Sequence, residues 1–566
     1  MMPHEARPGR ATAGVPRWLV RRICTSNPFY ILSAWLVCMG LRISFGAQVN
    51  AMQTWALLAG MAGYTLLLAL TACLLVRLVG VWDDVRTIML LVVLLILATS
   101  VMFDDVFTRD PTRGTICYVV GLASAVLVSE GLLRGTRLAL PALFRLPYHL
   151  ALALFFLYPV ALTPLLDQPE GEAVGWALFG FSPAAGLVAL TLLPAVRRGR
   201  EYVRDNGSPW RWAWYPWTLF GLLAFGAAAR SAMLCWSMHH AGKVYGAEPY
   251  IFGWYFLAPF LIAVAIVLVE IGRVERLPGV RFAGLALPAV ATALAAIGHR
   301  PEFVYQGFLA HFEARLGGSP LYLTLTASAL FYAVAALRRV PTAAGALGLA
   351  LVGLAFVGPG TRDFDGLAAM RPMPMLAVAL ILGATAVRER SPWRAILGAA
   401  CLAAAIVSPD GLGVPSGWRG PAAFHLVVAT ALIAGAAFDD AWARALGVAT
   451  AVGACLAASF GLAPAEAGPT WAVASYPPVV GLVLLGYGLI VLDPTARWAA
   501  AAVAASWLAS AGWSGYDALR SQVPGLDFIV VGMTFFVAAV LTSLLKAGVP
   551  LRPGAWKDSK VRDALG

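Results

Sequence analysis

Residues 86–103, RTIMLLVVLLILATSVMF, leave the chain little choice of surroundings. No charge falls between Ile88 and Met102 in this run of 18 residues. At about 1.5 Å rise per residue, a helix of that length almost covers a hydrocarbon core about 30 Å thick. Only helices and closed barrels satisfy all their backbone polar groups inside lipid. The run lacks the alternation of a barrel strand, so it reads as a membrane-crossing helix.

The same unit returns along the whole chain. Of the 566 residues, 60% are hydrophobic and 12% charged, and mean hydropathy is +0.78. That charged fraction is about half the ~25% usual in soluble domains. Eighteen candidate spans follow: 28–47, 54–76, 86–103, 115–133, 147–166, 173–196, 212–236, 250–271, 282–298, 320–337, 342–358, 372–387, 395–408, 421–438, 445–462, 475–492, 498–514 and 527–545. The expected fold class is all-α, a polytopic integral membrane protein of about 18 transmembrane helices.

Arginine placement sets the expected orientation. Arg supplies 37 of the 41 positive charges. With both termini in the cytoplasm and sides alternating, inner segments hold 30 Lys and Arg, outer segments hold nine, and two lie within spans. Cytoplasmic loops of membrane proteins collect such charge. The net charge of +12 is therefore read as a membrane topology signal and not as a nucleic-acid footprint. The expected location is the inner membrane of a bacterial-type cell. WRWAWYPW (210–217) places aromatic rings where a span meets the interface.

Four segments are expected. Residues 1–27 form a basic cytoplasmic tail with a short interfacial helix, rather than a signal peptide, since the next apolar run is long and no small-residue cleavage site ends it. Residues 28–340 form a bundle of about ten spans with polar outer loops. Residues 341–546 form an Ala/Gly-rich bundle of about eight shorter spans, and 547–566 a second basic tail. Small residues let helices approach closely in lipid. FDDVFTR (103–109) and FDDAWAR (438–444) are the one near-match along the chain.

Several chemistries are absent from the sequence. It has no GxxxxGK[ST], no H-E-x-x-H, no G-x-S-x-G and no C-x-x-C. No cofactor and no metal are expected, and the chain is read as a binder or carrier in preference to an enzyme. Cys117 and Cys235 fall near the same expected face, which leaves a disulfide between them open.

Three signals suggest a site. Arg42 and Arg230 are cations within spans, and such residues mark ligand pathways when they do not snorkel to headgroups. Glu130 and Glu270, near inner helix ends, are expected to pair with Arg134 and Arg273. The outer loops gather Asp104, Asp105, Arg109, His239, His240, Glu302 and His311, as candidates for ligand binding on a wet face. Pro159, Pro183 and Pro259 are candidate helix breaks, where transporters seat substrates.

The favoured function is a secondary-transporter-like carrier, or a binder of a small anionic or lipid-linked ligand through an outward-facing polar site. The partners are then the bilayer and an anionic lipid or lipid-linked phosphate. One alternative is a non-catalytic assembly or sensor protein, which the bland C-terminal third suits. Another is an outer-face enzyme on a lipid-linked substrate, in the manner of membrane glycosyltransferases. Against the latter, the first outer loop (47–53) carries no acid.

Overall fold

The computed structural model describes residues 29–45, 51–165, 172–210, 212–241, 251–460, 470–523 and 525–546. Among these residues the regular structure is helical throughout, with no strand. Thirteen helices are long and apolar enough to cross a membrane. They coincide with thirteen of the expected spans. Four more spans, the first, eleventh, thirteenth and last, match the shorter apolar helices Phe29–Leu41, Ala343–Phe356, Pro392–Val407 and Leu526–Val540. The stretch 498–514 falls inside the helix Pro494–Gln522, which belongs to neither set. The expected tails, 1–27 and 547–566, lie outside the described residues.

The chain divides into two compact units, one up to Met370 and one from Arg371. In the first unit, α1 is Phe29–Phe45, α2 Ala51–Leu74, α3 Asp83–Arg109, α4 Pro111–Thr136 and α5 Ala142–Ala161. Then come α6 Glu172–Leu190, the short α7 Leu193–Arg198, α8 Trp214–Ala241, α9 Ala258–Val274, α10 Pro278–Ala295, α11 Phe303–Leu316, α12 Pro320–Leu337 and α13 Ala343–Phe356. Helix α13 follows the change in composition near residue 340 yet packs with α12, through Val340, Ala343, Ala350 and Leu354 against Leu321, Leu325 and Tyr332.

Helix α3, which contains the uncharged run, is a hub of this unit. Asp83 and Asp84 in its first turn favour the positive end of the helix dipole. Its buried residues include Ile88, Leu91, Val92, Leu95, Ile96, Phe103 and Phe107, which face α2, α4 and α8. Pro111 stops it, because the residue before a proline leaves the helical region; Asp110 has φ −143° and ψ 95°. Asp110 then caps α4 by accepting from Arg113 N at 3.0 Å, with Pro111 in the first turn. The hairpin closes tightly at Gly114, where a Cβ would lie 2.2 Å from the Cα of Phe107.

Three expectations change. FDDVFTR is not a loop but the last two turns of α3, whereas FDDAWAR straddles a turn at Asp439, with Asp440 capping the next helix. The two copies have different local structures and carry no repeat. The loop expected after residue 298 contains a helix, α11, which buries Tyr305, Phe308, Leu309 and Phe312. Glu130 pairs with Arg145 (Nε–Oε1 2.7 Å) and His149, not with Arg134, whose carbonyl instead accepts from Arg77.

The second unit contains α14 Pro372–Glu389, α15 Pro392–Val407, α16 Ser416–Ala437, α17 Ala441–Ser459, α18 Thr470–Ile490, α19 Pro494–Gln522 and α20 Leu526–Lys546. Neighbouring helices pack as antiparallel pairs through small residues. Gly398 lies against the Ala379 carbonyl and Gly435 against Arg444 N. Its core joins Leu432, Val448, Ala451, Cys455, Leu484 and Val503.

Candidate functional site

Two opposite charges meet in the interior of the first unit. Arg230 of α8 donates from Nη1 to Asp104 Oδ2 at 2.5 Å and from Nη2 to Asp104 Oδ1 at 2.7 Å. Both side chains are only 1% exposed. This is the fork-on-fork geometry that suits guanidinium and carboxylate, with charge-assisted bonds stronger than neutral ones.

Asp104 takes two further bonds. Ser237 Oγ donates to Oδ2 at 2.8 Å, and the Tyr118 hydroxyl donates to Oδ1. Four donors thus saturate the carboxylate. Arg230 Nη2 also reaches the Tyr118 oxygen at 3.4 Å. Helices α3, α4 and α8 each supply part of the centre. Phe103 and Phe107 stand edge-on to the Tyr118 ring, each with centroids 5.6 Å apart, and seal it from lipid.

The arrangement is not fully satisfied. Arg230 Nε and the neighbouring Ser231 Oγ are buried without a hydrogen-bond partner. Buried polar atoms are rarely left unpaired, so these two are exceptions. At the centre itself one guanidinium N–H of the neutralised cation stays unused.

Among the other sequence candidates, Asp105 and Arg109 are exposed on α3 and turn away from the pair. Adjacent residues on a helix point about 100° apart, so Asp104 and Asp105 form no carboxylate dyad. Arg42 lies in α1, His239 and His240 in the last turn of α8; the side chains of all three lie outside the described residues. His311 is exposed, with Nδ1 taken by Gly307 O of its own helix. Glu302 precedes α11 and leaves Oε2 buried and unpartnered. Neither His311 nor Glu302 contributes a bond to the Asp104–Arg230 centre.

The prolines do not open a gap. Helix α6 runs through Pro183 as one element, Pro159 stands in the last turn of α5, and Pro259 opens α9 at its first turn. Cys117 and Cys235 are buried free thiols. Among the described residues no three His, Cys, Asp or Glu groups gather for a metal.

A second polar network ties α11 down. Arg362 grips Glu313 with Nε–Oε1 2.8 Å and Nη2–Oε2 2.7 Å and donates to Gln306 Oε1 at 3.0 Å. The hydrogen bonds to Glu313, aided by its charge, raise the Arg362 pKa above the usual guanidinium range despite partial burial. His299 Nε2 donates to the Arg362 carbonyl at 2.8 Å, and Nδ1 lies 3.0 Å from the Tyr305 hydroxyl. Burial pushes that phenol up to about 12.

Tyr118 and Ser237 were not singled out by sequence. Neither type is unusual in a span, but both stand at the depth of Asp104 once α3, α4 and α8 are laid side by side. No family model, curated protein or solved structure matches the chain.

Proposed function

We propose that this multi-spanning membrane protein carries a small anionic ligand, with the Asp104–Arg230 pair as its coupling centre. The carrying observation is that both fork positions of Arg230 are occupied by Asp104 inside a dry helix bundle. A ligand carboxylate or phosphate takes that fork only when Asp104 releases it. Released into apolar surroundings, a carboxylate is far cheaper to hold as the neutral acid.

Anion and proton therefore arrive together. The proton goes to an Asp104 oxygen, the anion to the Arg230 fork, and the charge of the centre stays balanced. The unpartnered Nε of Arg230 supplies an additional donor to the bound anion. In this reading both termini lie in the cytoplasm of a bacterial-type inner membrane, as the arginine asymmetry suggests, and the site opens to the outer face.

The test is proton movement in proteoliposomes loaded with a pH-sensitive dye. A panel of small carboxylates and inorganic phosphate is added outside. At least one anion should acidify the lumen through the parent protein, and neither Asp104→Asn nor Arg230→Lys should support it. A folded parent that moves no protons with any of them would refute coupled carriage.

A further inference from the structure

Far from that pair, at the other end of the first unit, the helix ends gather arginines. An open groove of about 530 Å³ is lined by Arg273, Arg276, Arg281, Arg338 and Arg339, with Pro278 at the N-terminus of α10. An apolar cavity of about 260 Å³ orients this end, since it is lined by Trp217 near the start of α8 together with Ile271 at the end of α9. Arg230 lies 13 residues beyond Trp217 along α8, about 20 Å at helical rise.

The groove is short of negative charge. Glu270 is shared among Arg197 (3.4 Å), Arg273 (3.2 Å) and Arg338 (3.8 Å). Glu275 accepts from the backbone N of Arg200 at 2.7 Å. Arg276, Arg281 and Arg339 make no ion pair among the described residues. Helices α9 and α10 approach closely beside them: a Cβ on Gly272 would lie 2.6 Å from Arg281 N. Arg276 and Arg339 occupy left-handed positions, φ 55° and 57°, at the helix ends that border the groove.

The rim is apolar. Leu337, beside Arg338, is 84% exposed, and Phe282, beside Arg281, is 70% exposed. Three candidate spans, Trp254–Val274, Pro278–Ala295 and Pro320–Leu337, begin or end here. A guanidinium cluster bordered by lipid-facing side chains at span ends lies at the depth of headgroups. Guanidinium forks match phosphate oxygens in pairs, and the N-terminus of α10 adds backbone donors of the same sign.

We infer that this groove binds a phosphate group carrying net negative charge, that of an anionic lipid headgroup, with the lipid tails against the apolar rim. The inference stands apart from the anion-carrier reading, since it uses none of the residues of the Asp104–Arg230 centre.

The test uses full-length protein in nanodiscs of phosphatidylcholine alone or with added phosphatidylglycerol. Retained lipid is counted by native mass spectrometry and stability followed by thermal melting. The parent should retain phosphatidylglycerol preferentially and melt higher with it. Arg276→Gln, Arg281→Gln and Arg339→Gln should each weaken retention about fivefold. The matching Lys variants guard against misfolding: they keep the charge and should retain part of the effect. Arg200→Gln/Arg204→Gln, on the same face outside the groove, should change nothing. Equal retention of both lipids by the parent, or equal loss in the Arg200/Arg204 control, overturns the site. Stabilisation by inorganic phosphate in detergent, matching that by phosphatidylglycerol, overturns the lipid as source and supports a soluble phosphate ester in the same groove.

Discussion

Asp104 and Arg230 lie 126 positions apart in sequence, yet they grip one another through two bonds of 2.5 and 2.7 Å in a site closed to solvent. Three helices are fixed by that contact, because Tyr118 and Ser237 bond the same carboxylate.

Removing one charge should harm the fold more than removing both. A lone buried charge costs about 3–5 kcal/mol, while an apolar replacement of a buried pair is often neutral. Asp104→Leu and Arg230→Met should each lower the melting temperature in detergent sharply, and the double variant should regain most of it. A double variant less stable than both singles would show that the pair does not behave as a unit.

The two neutral donors make graded contributions. Tyr118→Phe and Ser237→Ala each remove one hydrogen bond to a charged acceptor, about 1.5–3 kcal/mol. Each variant should unfold earlier in a chemical-denaturation series, and neither as early as Asp104→Leu.

Gly114 tests the α3–α4 hairpin. Alanine there places its Cβ 2.2 Å from the Phe107 Cα, which is backbone and cannot swing away. The helices must part, at a cost of about 1–3 kcal/mol. Gly131→Ala, in the same helix with open space around it, is the matched control and should leave melting unchanged or slightly raised.

In the second unit, Asp493 should make stability fall in acid. It caps α19 through Thr495 N at 2.9 Å and Thr495 Oγ1 at 2.6 Å. Burial pushes its carboxyl up, but those bonds and the charge of Arg444 outweigh burial and hold its pKa below the ordinary range. A depressed carboxylate stabilises the fold above its unfolded pKa of about 3.9 and loses that contribution as pH falls through the lower folded value. Asp493→Asn should flatten the acid limb of a melting-versus-pH curve below about pH 4.

The Arg362–Glu313 grip should control the mobility of α11. Both groups are partly exposed, so the loss from Glu313→Gln is set at about 1 kcal/mol. Amide hydrogen exchange across 303–316 should quicken in that variant, while exchange in α3 stays slow. Unchanged exchange there would mean that the buried Tyr305, Phe308 and Phe312 alone hold the helix.

Helix existence was legible because the signal is summed over many residues. The apolar run at 320–337 coincides with α12, and that at 86–103 falls inside the longer α3, since lipid allows few alternatives to a helix. Helix α11 is hard to see in the sequence because Glu302 and His311 suggest water, although Tyr305, Phe308, Leu309 and Phe312 recur at helical spacing. Asp104 and Arg230 were both visible as candidates, but not as a pair. Pairing depends on where α3 ends, and FDDVFTR was placed outside the span although no helix breaker stands before Pro111. Proline was misleading for the opposite reason. Pro183 has the residue type of a break, yet the helix continues through it.

The arginine-ended helices carry a practical warning. Arg137, Arg276, Arg339 and Arg390 all sit left-handed at helix C-termini, and in each the following N–H closes back onto the helix, as Leu138 does to Leu133 O at 3.0 Å and Val340 to Ala335 O at 3.0 Å. Glycine would relax these turns by about 1 kcal/mol apiece. A laboratory screen that rewarded heat tolerance alone would therefore harvest glycines at all four positions, and would hand back a sturdier protein whose groove had lost Arg276 and Arg339.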